Sequence, residues 1–126
     1  MVKNIKYEQG KRLLEDYIKK TEDDIVWLNE MCDRYNSTVF DLPEFAGFDY
    51  YKAVEFIRTW EIINELPADK KNLFLIFCAC EYDYKRTLEI FNNVGKTCKN
   101  IATLRVMISN VRKIIRKNYS DKYGTN

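Results

Sequence analysis

The sequence predicts an all-α protein, and two observations indicate that fold class. The chain of 126 residues contains four glycines and two prolines, so it lacks the turn residues that folds made of many short strands require. Apolar residues recur at steps of three and four along several segments, which is the spacing of an amphipathic helix. With 46% hydrophobic residues, a chain of this length can bury a core without disulfides or a metal.

The first predicted helix covers residues 5–35. Its seam of apolar or weakly polar side chains is sustained over three heptads and consists of Leu14, Ile18, Thr21, Ile25, Leu28, Cys32 and Tyr35. The segment Thr21–Asp24 also fits the cap of a separate helix, which would divide the element near Lys20. One continuous helix is the favoured prediction. The seam faces either an internal core or a second copy of the chain in a homodimer.

Residues 36–47 predict a loop because they contain Pro43 and Gly47, and their apolar content indicates that this loop lies against a core. Asp49 is placed to cap helix 2, which extends to about Leu66 and is ended by Pro67.

Helix 3, residues 68–81, is apolar nearly all round, as expected of a helix buried between neighbours at the centre of the core. Cys78 and Cys80 lie within its apolar run and are predicted to be reduced, buried core residues.

Two further helices are predicted in the C-terminal part. Asp83 is placed to cap a short helix 84–92, which a stop at residues 93–95 ends. Thr97 or Asn100 then caps helix 5, which extends to about Tyr119. The seam of helix 5 consists of Ile101, Leu104, Ile108, Val111 and Ile115. The opposite face and one flank hold Lys99, Thr103, Arg105, Val106, Ser109, Asn110, Arg112, Lys113, Arg116 and Lys117, so the wet side of helix 5 is polar and basic.

The charge distribution divides a single predicted domain, residues 1–126, into an acidic helical hairpin part, 1–66, and a basic helix-turn-helix part, 67–126. Residues 1–66 carry 9 cations and 14 anions, a net charge of −5, whereas residues 67–126 carry 12 cations and 5 anions, a net charge of +7. Asymmetry of this kind indicates an anionic partner for the basic part, and the candidates are a nucleic acid, an acidic protein surface and an anionic membrane.

Several function classes are not expected. The chain has no histidine, the usual general base and the commonest transition-metal ligand, and its four cysteines form no CxxC pair. We therefore expect no enzymatic activity, no cofactor and no metal. The first residues lack the apolar core of a signal peptide, and the longest apolar run, Leu73–Cys80, is too short to span a bilayer. The expected location is the cytoplasm, with no membrane contact.

A short helix, a turn that contains Gly95 and a longer helix with a cationic face make up a helix-turn-helix arrangement. In that motif the second helix enters the major groove of DNA. The Arg, Lys, Asn and Thr side chains of helix 5 can donate hydrogen bonds to phosphate oxygens and base edges. A solvated helix face and a protein-binding face are the alternatives.

Three stretches, Leu66–Phe77, Tyr84–Phe91 and Thr103–Lys117, place a Leu-Pro pair and an apolar helix before a helix-turn-helix with a basic tail. In this order they resemble the promoter-reading C-terminal domain of bacterial sigma factors, over about residues 65–117. With its acidic helical N-terminal half, the chain is similar to phage regulators of the ArpU and RinA type, which activate late genes. The segment 92–100 is longer than the compact sigma turn.

By this resemblance, the positions that face bases are Lys99, Asn100, Thr103, Arg105 and Met107, and the basic tail is Arg112, Lys113, Arg116 and Lys117. The predicted DNA-binding set is Lys96, Lys99, Asn100, Thr103, Arg105, Arg112, Lys113, Arg116 and Lys117. The resemblance implies a helical hairpin packed on a sigma-like three-helix unit.

The predicted function is a sequence-specific transcriptional regulator that binds double-stranded DNA, encoded by a phage or mobile element, with RNA polymerase as a further candidate partner. The alternative is a small helical interaction protein, such as a phage-encoded inhibitor whose helix 5 or helix 1 docks on a host protein.

Overall fold

The computed structural model describes residues 2–37, 43–93 and 100–124. The described segments form five α-helices and one short 3-10 helix, and the prediction of an all-α fold is confirmed. The helices are α1 (Val2–Ser37), α2 (Tyr50–Asn64), α3 (Ala68–Ala79), α4 (Tyr84–Asn93) and α5 (Ile101–Tyr123), with the 3-10 helix at Pro43–Phe45 before α2. Within these segments, no helix combines the length and the apolarity needed to cross a bilayer.

The first helix is continuous, as predicted, and it passes through Lys20 without a break. Thr21 lies buried in its seam, where an unpaired hydroxyl would be costly. The Thr21 hydroxyl donates instead to the Tyr17 carbonyl oxygen at 2.8 Å, which satisfies it locally. A polar residue in the seam therefore does not divide the helix.

Three predicted N-caps are present. Asp49 Oδ1 accepts the Lys52 N–H at 3.1 Å, and Asp83 Oδ1 accepts the Arg86 N–H at 3.1 Å. The side chain of Asn100 accepts the Thr103 N–H at 2.8 Å, so Asn100 caps α5. Each contact satisfies an N–H that has no partner within its own helix. Thr97, the alternative cap, lies outside the described residues.

The connection between α3 and α4 is a tight reversal. Glu81 and Tyr82 both adopt left-handed backbone conformations, with φ of 57° and 64°. The Tyr82 N–H reaches back to the Phe77 carbonyl oxygen at 2.9 Å, which closes the end of α3. This turn brings Tyr82 and Tyr84 against the ring of Phe77, at centroid distances of 5.4 and 4.9 Å.

The core is centred on α3, as predicted. Both long helices, α1 and α5, pack against α2, α3 and α4. From α3, the buried side chains are Leu73, Leu75, Ile76 and Phe77. Trp60, Ile62 and Ile63 of α2 and Leu104, Ile108 and Val111 of α5 belong to the same cluster, whereas the α1 side chains packed on it are only partly buried.

Cys80 is buried, as predicted, whereas Cys78, also predicted to be buried, is half-buried beside Tyr17. Burial raises the pKa of both thiols, so they are protonated at neutral pH. Burial, together with the Cys78 side chain, raises the pKa of Tyr17 to about 12. This pair joins α1 to α3. Cys98 lies outside the described residues.

Candidate nucleic-acid interface

The candidate interface is the solvent side of α5, and the inner side of that helix fixes its orientation. Leu104 and Ile108 are fully buried, and Val111 and Ile115 continue the same row into the core. Residues three and four apart share one face of a helix, so the burial of this row fixes which face of α5 points into the core. The predicted seam is confirmed.

The opposite side of α5 is exposed. Thr103, Arg105, Val106 and Asn110 lie exposed in its first half, and Val106 keeps 59% of its surface. Lys113, Arg116 and Lys117 lie exposed in its second half. Within the described residues, no acidic side chain forms an ion pair with these last three cations. Their charge therefore faces solvent without neutralisation by the acidic N-terminal half.

One cation of α5, Lys122, forms ion pairs with acidic residues of the N-terminal half. Lys122 Nζ lies 2.7 Å from Glu65 Oε1, just past the end of α2, and 3.9 Å from Glu61 Oε2 on α2. The hydrogen bond to Glu65 raises the pKa of Lys122, and a hydrogen bond to Glu61 raises the pKa of Tyr123. These contacts fasten the end of α5, which extends to Tyr123, past the predicted end at about Tyr119.

Two arginines on one flank of α5 lie over aromatic rings. The Arg105 guanidinium carbon is 4.8 Å from the centroid of Tyr84, and that of Arg112 is 5.2 Å from the centroid of Phe77. A ring face attracts a cation without neutralising its charge, and it also restricts the side chain. Arg112 is half-buried by its contact, whereas Arg105 remains exposed. Arg112 is thus a packing residue as well as a member of the predicted basic tail.

The structure gives two predicted base-facing positions a structural role. The side-chain oxygen of Asn100 is occupied by the cap of α5, so this residue positions the helix. Met107 is half-buried and lines a groove of about 510 Å³ with Leu73 and Phe91, and therefore packs on the core instead of facing outward. Lys99, together with Lys96 of the wider predicted set, lies outside the described residues.

Long-range contacts are what sequence reasoning missed at this interface. The pairing of Lys122 with two glutamates of the N-terminal half, and the placement of Arg105 and Arg112 over rings, join residues far apart in the chain. The only signal in the sequence was the helical register, which put Arg105 and Arg112 on one flank.

Comparison of the chain with protein-family models, curated proteins and solved structures gives no match.

Proposed function

We propose that the protein binds double-stranded DNA through the exposed face of α5 and regulates transcription. The observation that carries this proposal is that Lys113, Arg116 and Lys117 are exposed and form no ion pair with any acidic side chain of the described residues. A solvated helix face of ordinary composition mixes both signs of charge, whereas α5 carries six cations and one acid. Uncompensated cations in one row are the electrostatic footprint of a polyanion-binding surface.

The dimensions of α5 suit a duplex. From Arg105 to Lys117 the helix rises about 18 Å, which exceeds the roughly 12 Å width of the major groove. Its exposed first half offers Thr103, Arg105 and Asn110 as donors and Val106 as an apolar contact for a thymine methyl group. The second half offers point charges for phosphates. This division of labour resembles that of a recognition helix with a basic tail, as in sigma-like regulators.

The stacked arginines support the same proposal. Ring contacts hold Arg105 and Arg112 on the flank of α5 before any ligand binds. Ordering a long side chain costs about 1.5 to 2 kcal/mol of rotamer entropy. A prearranged guanidinium has already lost part of that freedom, so its contact with a phosphate or a guanine is more favourable.

The salt dependence of duplex binding tests the proposal. If the protein neutralises about five phosphates, the logarithm of the association constant for a mixed-sequence duplex falls with log[salt] at a slope of about −4.5, or about 500-fold between 50 and 200 mM. Changing Lys113, Arg116 and Lys117 together to Ala removes about three of these contacts. The slope then becomes about −1.8, so the affinity of this variant falls only about 12-fold between 50 and 200 mM salt.

The matched control is a pair of single substitutions on α5. Lys117→Ala removes an exposed cation that has no acidic partner among the described residues, and it is expected to reduce the magnitude of the salt slope by about 0.9. Lys122→Ala removes a cation already paired with Glu61 and Glu65, and it should leave the slope unchanged. Fluorescence anisotropy of a labelled duplex measures both. Equal slopes for the two variants, or no binding of the wild type at low salt, would refute the proposal.

A further inference from the structure

A second surface, different in its chemistry from the exposed face of α5, lies between α1 and α2. It is a groove of about 490 Å³ whose walls are Trp27, Leu28 and Met31 of α1 and Ala53 and Phe56 of α2, with Phe48 at one end. Trp27 keeps 54% of its surface exposed and Phe56 keeps 45%. Large exposed aromatic side chains that share a concave surface mark a binding site more often than isolated ones do.

A cluster of packed aromatic rings supports the groove. Phe48 meets the Trp27 ring edge-on at a centroid distance of 6.4 Å and lies 6.4 Å from the buried Phe45. Tyr35 packs on both phenylalanines, at 5.9 and 6.1 Å. The groove walls are thus fixed by an aromatic cluster, so a ligand meets apolar surface that needs little reordering. Preorganised aromatic walls of this kind give affinity because binding freezes few rotamers.

The α1 surface that flanks the groove, here called the α1 rim, is acidic. The helical neighbours of Trp27 are the residues three and four positions away, and three of these four are Asp23, Asp24 and Glu30. All three are exposed. From residue 22 to residue 33, α1 has five acids and no base. Asp23 has one weak contact, to Lys19 at 3.7 Å with both side chains largely exposed, which leaves its charge available.

The α2 rim does not cancel this charge. Lys52 and Asp49 both line the groove and have opposite signs. Asp49 is engaged as the cap of α2, and its charge offsets that of Lys52. The groove therefore presents an apolar floor with net negative charge along one edge, and that edge extends over about 10 Å from Asp23 to Glu30.

We propose that this groove binds a basic amphipathic helix of a partner protein. Apolar side chains of the partner, spaced three or four residues apart, enter between Trp27 and Phe56, and its lysines and arginines meet Asp23, Asp24 and Glu30. Helix-in-groove docking of this type uses anchors at helical spacing. DNA and anionic membranes are repelled by the same acidic residues.

Selection from a displayed library of helical peptides tests the proposal, with counter-selection on a Trp27→Ala variant. Enriched peptides are expected to carry at least two apolar residues at helical spacing and a clear excess of Lys and Arg. Binding of one enriched peptide, followed by anisotropy, is expected to weaken about tenfold in Phe56→Ala and to a similar extent when Asp23, Asp24 and Glu30 become Asn, Asn and Gln.

Two controls show whether peptide binding belongs to this groove. Tyr51→Ala removes an aromatic ring of α2 that is 80% exposed but outside the groove, and it should leave peptide binding unchanged. The variant with Ala at Lys113, Arg116 and Lys117 should also bind the peptide normally, so this inference and DNA binding can fail separately. Circular dichroism melts check that the groove variants remain folded.

The outcomes that overturn the proposal are specific. They are enriched peptides that are neutral or acidic, enrichment that is equal on Trp27→Ala, or no enrichment at all. Sedimentation velocity of the protein alone adds another: a dimer that Trp27→Ala abolishes would assign the groove to a second copy of the chain. We expect a monomer at micromolar concentrations.

Discussion

The two long helices, α1 and α5, are both amphipathic, yet each leaves a different kind of surface without a partner inside the protein. The seam of α5 is completely buried at Leu104 and Ile108, and the unmatched feature of this helix is the charge on its outer face. The apolar side chains of α1 that pack on the cluster around α3 are half-buried, although Thr21, Met31 and Cys32 of the same helix are buried. The unmatched feature of α1 is the exposed ring of Trp27 in the groove with Phe56.

This difference separates two modes of recognition. A helix whose apolar row is used up inside the core offers only polar and charged contacts, which suits a polyanion. A helix that keeps aromatic surface outside offers hydrophobic contacts, which suit a protein. Under the two proposals, the opposite net charges of the two parts of the chain, −5 and +7, favour partners of opposite sign.

The largest expected difference between α1 and α5 is in their contribution to stability. Leu104→Ala on α5 removes a side chain with no solvent exposure, and the cavity should cost about 3 kcal/mol of unfolding free energy. Leu14→Ala on α1 removes the same atoms from a half-buried position and should cost about 1 kcal/mol. Urea denaturation measures both. Equal losses would show that α1 is buried as deeply as α5 in solution.

The helical framework was predictable from the sequence because its determinants are local. The caps at Asp49, Asp83 and Asn100 act on an N–H three residues away, and the seam of α5 repeats at one fixed spacing. Helix ends were less well placed, because the end of α5 depends on Glu61 and Glu65 in the other half of the chain.

The surfaces were harder to predict than the helices. The seam analysis of α1 identified the residues that face inward, but the exposure of Trp27 depends on how closely α2 and the segment at Phe48 approach. The placement of Arg105 over Tyr84 likewise requires α4 and α5 to meet. Contacts between distant segments leave no periodic signal in the sequence. Helical periodicity therefore predicts which face of a helix a residue lies on, but not which other element packs against that residue.

The next effect concerns sequence preference and divides α5 itself. Arg105→Ala removes a donor from the first half of the helix and should cost about 1 to 3 kcal/mol at the preferred duplex, with little loss on random sequence. Lys113→Ala should weaken binding to all duplexes alike. Selection of bound sequences from a random duplex pool compares the two. An unchanged preference in Arg105→Ala would show that α5 contacts only the phosphate backbone.

A matched pair of caps tests whether the two halves depend on each other. Asp49→Ala and Asn100→Ala each leave an N–H at the start of a helix without its partner, and each should lower the free energy of unfolding by about 1 kcal/mol. Because both helices belong to one core, thermal melts should remain single transitions. If Asp49→Ala produced a separate early transition, the α1–α2 part would unfold independently.

The smallest effect lies where the two halves meet, at Tyr17 of α1 and Cys78 of α3. Burial raises the pKa of Tyr17 to about 12, so the folded state favours the protonated phenol. The resulting stability is fully present below the ordinary pKa of about 10 and is lost as pH rises through about 12. Allowing for the partly exposed ring, the loss over this range is about 0.5 to 1 kcal/mol.

Tyr17→Phe provides the control, because it keeps the ring and removes the titrating hydroxyl. Urea denaturation at pH 10 and pH 12 should show a smaller loss of stability in this variant than in the wild type. The comparison is made in a Cys78→Ala background, because a hydrogen bond with Tyr17 lowers the pKa of that thiol and Tyr17→Phe would otherwise change both groups. Equal losses would mean that the Tyr17 hydroxyl is hydrated, and that α1 rests on α3 less closely than α5 does.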